Sequence, residues 1–412
     1  MTEPGADNPS LTRPAPPWPW WTGGQYSLVR ALLGTGVAAW FVAVALGAWR
    51  AGGSHLPAGT GAGGSVAGVG LALTGALAAF LFAAGIGDRA SAVTVIAAGT
   101  LLTSAGLAAP GAGGIAIAGV LLAHLATPPA PYGSWAARGR PDPSAGWAPG
   151  RGWWHAVWIV LALAQIDAAL RAFAGAPAAG PDPDRVITGA LAIALPVAAL
   201  IPRSRAGVFI GAGVLMLGRL LGALAPGDLV MGAFDPATPC AATEAVAFLV
   251  ALLFGFDPAW VPGRRGGTPA ILFYDGACGL CHRAVRFVVA EDPRGEGFRF
   301  APLRSGLLEQ RLDDAQRRDL PDSLVVLTAE GRILTRAAAV VFILGALGGW
   351  WTIAARLGGL VPRAAGDALY DIVARGRRRW FAAPADACPV AAPALRARFD
   401  DHGHVEGRKA VP

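Results

Sequence analysis

The 412-residue sequence is poor in charge, in lysine and in cysteine. Only 15% of its residues are charged, and Lys409 is its single lysine. Soluble domains carry charge on about a quarter of their residues, so this composition excludes an ordinary soluble protein along most of the chain. The sequence contains 4 cysteines at uneven spacing, which excludes the disulfide framework of a small secreted domain.

Hydrophobic residues are abundant instead. They make up 54% of the chain and concentrate in residues 27–258. A membrane-spanning helix needs about 20 mainly apolar residues, and the pattern predicts an all-α bundle of about eight such helices. Their predicted bounds are 28–49, 66–86, 91–108, 114–126, 153–173, 186–201, 207–224 and 243–256. Residues 1–26 are proline-rich and polar, which predicts a disordered tail.

The net charge of +7 comes almost wholly from arginine. Arg138, Arg140 and Arg151 fall in one predicted connection between membrane helices, and Arg203 and Arg205 fall in another. Arginine in short connections marks the cytoplasmic side, so we predict an integral protein of a bacterial-type cell membrane with its C-terminal domain in the cytoplasm. No basic stripe interleaved with aromatic residues is present, so we predict the lipid bilayer and no nucleic acid as a partner.

Several ionisable residues fall within or beside the predicted membrane helices: Arg30, His124, Asp167, Arg171, Arg219 and Glu244. Charge in a bilayer is costly, so such groups pair with one another or line a polar cavity. We predict one polar cluster, formed by Asp167, Arg171, Arg219 and Glu244. Two interpretations remain open: a structural set of ion pairs, or a pocket for a quinone, a lipid headgroup or a small anion.

The most reactive pattern in the sequence is the pair Cys278 and Cys281, which follows an apolar segment at 270–274. The next residues place Val285, Val288 and Val289 on one face, as in a helix. A strand that turns into a helix at its first cysteine suits thiol–disulfide exchange, because a helix N-terminus stabilises a thiolate. We therefore predict that Cys278, nearer the helix start and more exposed, attacks, and that Cys281 resolves the mixed disulfide.

The pattern over residues 268–395 predicts an α/β domain. We predict a linker before it, at 259–267, and a flexible tail after it, at 396–412. Strands are predicted at 271–274, 298–301, 324–327 and 332–334, and helices at 278–290, 307–318 and from 336. Gly331 is the turn residue of a hairpin between the last two strands. The order β-α-β-α-β-β-α is that of a thioredoxin-like domain.

The segments 273–281, 322–327 and 368–375 resemble the DCC family, which is named for its Asp-Cys-Cys motif. The resemblance extends to Arg377, Phe381 and the Cys388-Pro389 pair and covers residues 268–392. It implies a thioredoxin-like fold and thiol–disulfide oxidoreductase activity, with Asp275 as the family's aspartate. Ala337 and Gly376 stand where the family commonly has serine and asparagine, each of which would offer a hydrogen bond.

Residues around the pair have open roles. Asp275 is either a proton acceptor for the resolving thiol or a turn residue that binds backbone N–H groups. His282 either assists thiolate formation or is merely solvated. Ser323, rather than Pro321, is predicted to occupy the position that contacts a substrate disulfide in thioredoxin-like proteins. Cys388 is a third redox partner, a metal ligand or an inert buried thiol.

These patterns predict a membrane-anchored thiol–disulfide oxidoreductase whose partner is a protein or small-molecule thiol or disulfide. Such exchange needs no cofactor or metal, because electrons move through a mixed disulfide. The alternative is a non-enzymatic, transporter-like or scaffold membrane protein. Its thiol domain would sense redox state or would be stabilised by zinc bound to Cys278, Cys281, His282 and Cys388.

Overall fold

The computed structural model describes residues 21–53, 62–107, 111–174, 183–223, 241–263, 267–276, 278–321, 323–380 and 393–400. The chain divides into two compact units. The helical unit comprises Tyr26–Arg138 and Ala148–Phe256. The thiol unit comprises Met1–Gln25, Gly139–Trp147 and Asp257–Pro412.

The helical unit is built from α-helices over its described residues, numbered here in chain order. These are α1 (Gly23–Gly53, whose first residues belong to the thiol unit), α2 (Ala62–Ala84), α3 (Asp88–Ser104), α4 (Ala112–His124), α5 (Arg151–Ala174), α6 (Pro183–Leu200), α7 (Arg205–Ala223) and α8 (Ala241–Leu252). Each corresponds to one of the apolar segments found in the sequence.

Within the described residues, 4 helical segments are long and apolar enough to cross a membrane. They are Gly23–Trp49, Val66–Ala84, Arg151–Ala174 and Pro202–Leu221. Shorter apolar helices of the same unit are Ala112–His124, Arg185–Leu200 and Thr243–Gly255. These lengths support a membrane protein, whereas a bundle in which about eight helices cross the bilayer stays a prediction.

Glycine brings α1 and α2 close together. A Cβ atom added to Gly34 of α1 would lie 2.7 Å from the carbonyl oxygen of Ala79 and 2.6 Å from Cβ of Ala83, both on α2. Small residues at such contacts let helix backbones approach in lipid, where packing rather than water exclusion drives association.

The thiol unit has an α/β core. Its strands are β1 (Ala270–Tyr274), β2 (Phe298–Pro302), β3 (Val325–Leu327) and β4 (Ile333–Thr335). Its helices are α9 (Gly279–Glu291), α10 (Gly306–Arg311), α11 (Asp314–Arg318), α12 (Arg336–Leu347), α13 (Gly349–Gly359), α14 (Arg363–Trp380) and α15 (Pro393–Arg396). The predicted order of strands and helices is confirmed through α12.

The helix predicted at 307–318 is divided in two, so that prediction is wrong in its detail. The first piece ends at Arg311. Asp313 caps the second piece, because its side chain accepts a hydrogen bond from the Gln316 N–H while the Gln316 side chain accepts one from the Asp313 N–H. This reciprocal capping box starts a new helix inside a polar run whose periodicity had looked continuous.

The sheet has the strand order β2-β1-β3-β4. Strand β1 pairs parallel to β2 and antiparallel to β3, and β3 pairs antiparallel to β4. The β3–β4 hairpin turns at Gly331, whose φ of 78° lies in the left-handed region that glycine adopts without strain. The turn predicted from the sequence is confirmed.

Alternate residues of the central strands supply two cores. Leu272 of β1 and Val326 of β3 face α9 and α12, whereas Phe273 and Val325 face α10. All four of these side chains are fully buried. Because β1 is covered on both faces, its sequence is continuously apolar rather than alternating.

Candidate thiol site

The site begins where β1 ends. The carbonyl oxygen of Asp275 accepts a hydrogen bond from the N–H of Cys278 at 3.1 Å, which closes a turn between the strand and α9. Cys278 is then the N-cap of α9, and its Sγ accepts a hydrogen bond from the N–H of Cys281 at 3.4 Å. The cap that serine or aspartate usually provides is here a cysteine sulfur, held one helical turn from the second cysteine.

Both sulfurs belong to buried residues. Cys278 is 3% exposed and Cys281 is 7% exposed, so the expectation that Cys278 is the more accessible is wrong. The reason is the surrounding core: both cysteines pack in one cluster with Tyr274, Leu324 and other apolar side chains. The residues that cover the start of α9 come from distant parts of the chain. Helical periodicity in the sequence around the cysteines does not predict such contacts.

His282 is tied to the turn before the cysteines. Its Nε2 hydrogen-bonds the carbonyl oxygen of Gly276 at 2.8 Å, and its ring meets the ring of Tyr274 edge-on. The residue is 6% exposed, so the interpretation of His282 as merely solvated is wrong. The imidazole ring therefore holds the turn that precedes Cys278. His282 itself lies in α9, directly after Cys281.

Ser323 lies buried two residues before β3, next to Leu324, which packs with both cysteines. The N–H of Leu324 donates a hydrogen bond to the hydroxyl of Tyr370 at 2.9 Å. Tyr370 belongs to α14, so this helix holds the strand end beside the thiols. Sequence reasoning assigned no role to Tyr370, since the contact joins residues far apart in the chain.

One departure from the family pattern, Ala337, contacts the same helix as Leu324 does. The N–H of Ala337, at the start of α12, donates a hydrogen bond to Oδ1 of Asp367 on α14 at 3.2 Å. This backbone contact does not need the serine side chain that the family commonly has at the position of Ala337.

Cys388 and Cys240 lie outside the described residues. Within the part of the chain that the structure describes, no group of three or more His, Cys, Asp or Glu side chains is placed to hold a metal ion. The zinc alternative includes Cys388 and therefore stays a prediction.

The polar residues of the helical unit make separate contacts. Asp167 and Arg171 form a half-exposed ion pair one turn apart on α5. Glu244 of α8 accepts a hydrogen bond from the N–H of Gly113 at 2.7 Å, at the start of α4. Arg219 lies on α7, which packs against α8. Their union in a single cluster with a ligand stays a prediction.

An acidic residue that the sequence did not single out ends α9. Glu291 is 3% exposed, and its carboxylate accepts hydrogen bonds from the Thr22 hydroxyl, the Gly24 N–H at 2.8 Å and the indole N–H of Trp351 at 2.5 Å. Burial raises the pKa of Glu291 above its ordinary value, and these hydrogen bonds oppose the rise. Residues 21–25, which we assigned to the disordered tail, are thus packed in the thiol unit.

Comparison with known proteins places this site in a family. The family described as DCC1-like thiol-disulfide oxidoreductase matches residues 272–383, a segment that contains Cys278, Cys281 and Tyr370. The uncharacterized protein YuxK of Bacillus subtilis (strain 168) is 30% identical over 133 residues, which cover 31% of this chain and 92% of YuxK. No solved structure matches the chain significantly. The chain therefore belongs, through its C-terminal unit, to the DCC1-like thiol-disulfide oxidoreductase family.

Proposed function

We propose that the protein is a membrane-anchored thiol–disulfide oxidoreductase with a thioredoxin-like domain, in which Cys278 and Cys281 exchange disulfides with a protein or small-molecule partner. The observation that carries the proposal is the hydrogen bond from the Cys281 N–H to Sγ of Cys278 at the start of α9. A backbone N–H and a helix N-terminus directed at a sulfur favour its anionic form, which is the nucleophile of exchange. The family of the C-terminal unit supports the same chemistry.

The reaction balances without a cofactor. The Cys278 thiolate attacks one sulfur of the partner's disulfide, that disulfide breaks, and the released sulfur leaves as a thiolate that takes up a proton. The Cys281 thiolate then attacks Sγ of Cys278, the mixed disulfide breaks, and the partner's second sulfur leaves. Two electrons and two protons pass from the cysteine pair to the partner, and an internal disulfide remains.

Asp275 and His282 have proposed supporting roles. The backbone of Asp275 closes the turn at Cys278, and its half-buried carboxylate is the acceptor we propose for the proton of Cys281. His282 holds the carbonyl of Gly276 and so fixes the same turn. Ser323 is the proposed platform for the partner's disulfide, next to Leu324 in the core that contains both cysteines.

We propose that the thiol unit faces the cytoplasm. Arginines follow even-numbered helices of the helical unit, with Arg138 and Arg140 between α4 and α5, and Arg203 between α6 and α7. If every helix crosses the bilayer, these connections lie on the side of the C-terminus, and arginine-rich connections are retained in the cytoplasm. The pair would then rest as a dithiol, since the cytoplasm is reducing.

Burial of both sulfurs favours the second candidate, a non-enzymatic membrane protein whose thiol domain senses redox state. Buried structural cysteines are generally inert, and exchange at Cys278 requires local opening of the core around it. The two candidates differ in one respect: an enzyme forms a covalent intermediate with a partner, whereas a sensor closes only its internal disulfide.

Trapping that intermediate tests the proposal. In the full-length Cys281→Ser protein, the mixed disulfide at Cys278 cannot be resolved, so partner adducts should accumulate on non-reducing gels. The Cys278→Ser protein should form none. Both variants carry Cys240→Ser and Cys388→Ser in addition, so that these thiols contribute no adduct. Peptide mass spectrometry should place the adduct on Cys278, and absence of an adduct at Cys278 in the Cys281→Ser protein contradicts the enzymatic proposal.

A further inference from the structure

Arg30 of the helical unit is a buried cation whose side-chain N–H groups make no hydrogen bond to the described residues. Its side chain is 0% exposed and lies within the candidate membrane segment Gly23–Trp49. Its Nε, Nη1 and Nη2 atoms find no hydrogen-bond acceptor among the residues that the structure describes. A charged side chain inside a membrane-spanning helix is energetically costly, and it is usually found where it pairs with another group or lines a polar site.

Asp88, at the start of α3, supplies charge but no hydrogen bond to this arginine. Its Oδ2 lies 3.7 Å from Nη1 of Arg30 and 3.9 Å from Nε2 of His124, and both distances exceed hydrogen-bond length. Nε2 of His124 is likewise buried without a hydrogen-bond partner in the described part of the chain, while Nδ1 bonds the Tyr26 hydroxyl. Two buried nitrogen-bearing groups therefore converge on one carboxylate without being satisfied by it.

A third unsatisfied group adjoins them at Gly85. Oγ of Ser134 is buried and has no hydrogen-bond partner within the described residues. A Cβ atom on Gly85 would lie 2.5 Å from Nη2 of Arg30 and 2.5 Å from Cβ of Ser134, so these two side chains flank one point. Gly85 has a φ of +67°, and the absence of a side chain there leaves room for the guanidinium.

The chemistry of these groups points to an acceptor-rich ligand. Arg30 offers N–H donors in a planar fork that matches two oxygens of a phosphate or carboxylate, and Ser134 adds a hydroxyl. The nearby Arg89, bound to the carbonyl of Thr127 at 3.0 Å, gives the group two arginines against the single carboxylate of Asp88. An oxyanion satisfies both the unmade hydrogen bonds and the surplus positive charge.

We propose that Arg30, His124 and Ser134 form a binding site for a phosphate-type oxyanion in the helical unit. Arg30 binds two of the oxygens, and Ser134 and His124 complete the shell. The oxyanion has two sources with the same chemistry, the headgroup phosphate of an anionic phospholipid or free inorganic phosphate. This site is independent of the cysteine pair, and its failure would leave the proposed oxidoreductase chemistry untouched.

Two probes distinguish the sources in the full-length protein. Native mass spectrometry after transfer from vesicles that contain phosphatidylglycerol should detect a retained phospholipid if the ligand is a headgroup. Thermal denaturation in delipidating detergent, with and without millimolar inorganic phosphate, should show stabilisation if the ligand is the free ion. A wild-type protein that retains no phospholipid and is not stabilised by phosphate overturns the proposal.

Variants locate the binding. Arg30→Gln should weaken retention of the positive probe about tenfold or more, because it removes the charge-assisted hydrogen bonds. Ser134→Ala, which removes one hydroxyl and leaves the charges in place, should weaken it less. Arg203→Gln, at an exposed arginine, is the matched control and should bind as wild type. Binding by Arg30→Gln and Ser134→Ala equal to that of wild type overturns the proposal.

Discussion

The backbone N–H of Cys281 is directed at Sγ of Cys278, 3.4 Å away across the first turn of α9. In the exchange that we propose, Cys278 attacks and Cys281 resolves, and the first turn of α9 already holds the two residues together. Passing from attack to resolution would therefore need no large rearrangement of α9. It does need access, because the core that holds both cysteines closes over them.

Tyr370→Phe tests the contact that holds β3 beside the thiols. The variant keeps the ring but leaves the N–H of Leu324 without the hydroxyl at 2.9 Å that accepts its hydrogen bond. An unsatisfied buried donor costs about 1–3 kcal/mol, so the thermal denaturation midpoint should fall. Alkylation of Cys278 and Cys281, followed by peptide mass spectrometry, should become faster, since Leu324 packs with both.

The matched control for Tyr370→Phe is Asp371→Asn on the same helix. Asp371 pairs with Arg336 at 3.2 Å, and both side chains are substantially exposed. Exposed ion pairs are worth about 0–1 kcal/mol, so this variant should alkylate at the wild-type rate. Equal alkylation rates in wild type, Tyr370→Phe and Asp371→Asn would show that the tyrosine does not control access to the pair.

Glu291→Gln tests a pH dependence of stability. Burial raises the pKa of the Glu291 carboxyl above 4.5, so the folded protein binds this proton more tightly than the unfolded chain does. The resulting stability is present below pH 4.5 and is lost as the pH rises through the folded-state value. Each tenfold difference in proton affinity is worth about 1.4 kcal/mol. Because glutamine does not titrate, the variant should lose less stability than wild type on going from acid to neutral pH.

The measurement is the thermal denaturation midpoint of the full-length protein as a function of pH. Glu309→Gln is the control, because Glu309 has a side chain that is 71% exposed. Its pH profile should follow that of wild type. Parallel profiles for wild type and Glu291→Gln would contradict the account of the buried carboxyl.

Gly263→Ala tests a close backbone contact in the segment that we predicted to be a linker. A Cβ atom at Gly263 would lie 2.2 Å from the carbonyl oxygen of Ala346 and 2.6 Å from the nitrogen of Gly348, and neither backbone atom can move aside easily. Such overpacking costs about 1–3 kcal/mol, which denaturation should detect as a lower midpoint.

Gly306→Ala is the corresponding control. A Cβ atom at Gly306, the first residue of α10, meets nothing within 4 Å. Replacement there should be neutral or stabilising by up to about 1 kcal/mol, because alanine restricts the unfolded chain more than glycine does. If Gly263→Ala is as stable as Gly306→Ala, the packing described at Gly263 is wrong.

Local patterns in the sequence predicted much of the architecture. Hydropathy located the helices of the helical unit, the apolar run before Cys278 predicted β1, and Gly331 predicted the hairpin of β3 and β4. These features depend on neighbouring residues alone. The capping box at Asp313 and Gln316 was readable in principle, but the polar run around it disguised the helix end.

What could not be predicted depends on contacts between distant residues. The burial of Cys278 depends on Leu324, and Glu291 meets Thr22, which is 269 positions away. Arg30 and His124 were recognised as unusual for a membrane segment, yet Asp88 was not associated with them because it lies at a helix start on a connecting turn. The periodicity of the sequence does not predict such contacts between distant residues.

The most direct test of the central claim, that Cys278 and Cys281 form one redox pair, is a redox titration of the full-length protein in glutathione buffers, read by mass spectrometry of the peptides that contain Cys278 and Cys281. The account predicts one two-electron transition in which these two cysteines form a disulfide with each other. A pair that stays reduced in every buffer, or cysteines that pair only with Cys240 or Cys388, would contradict it.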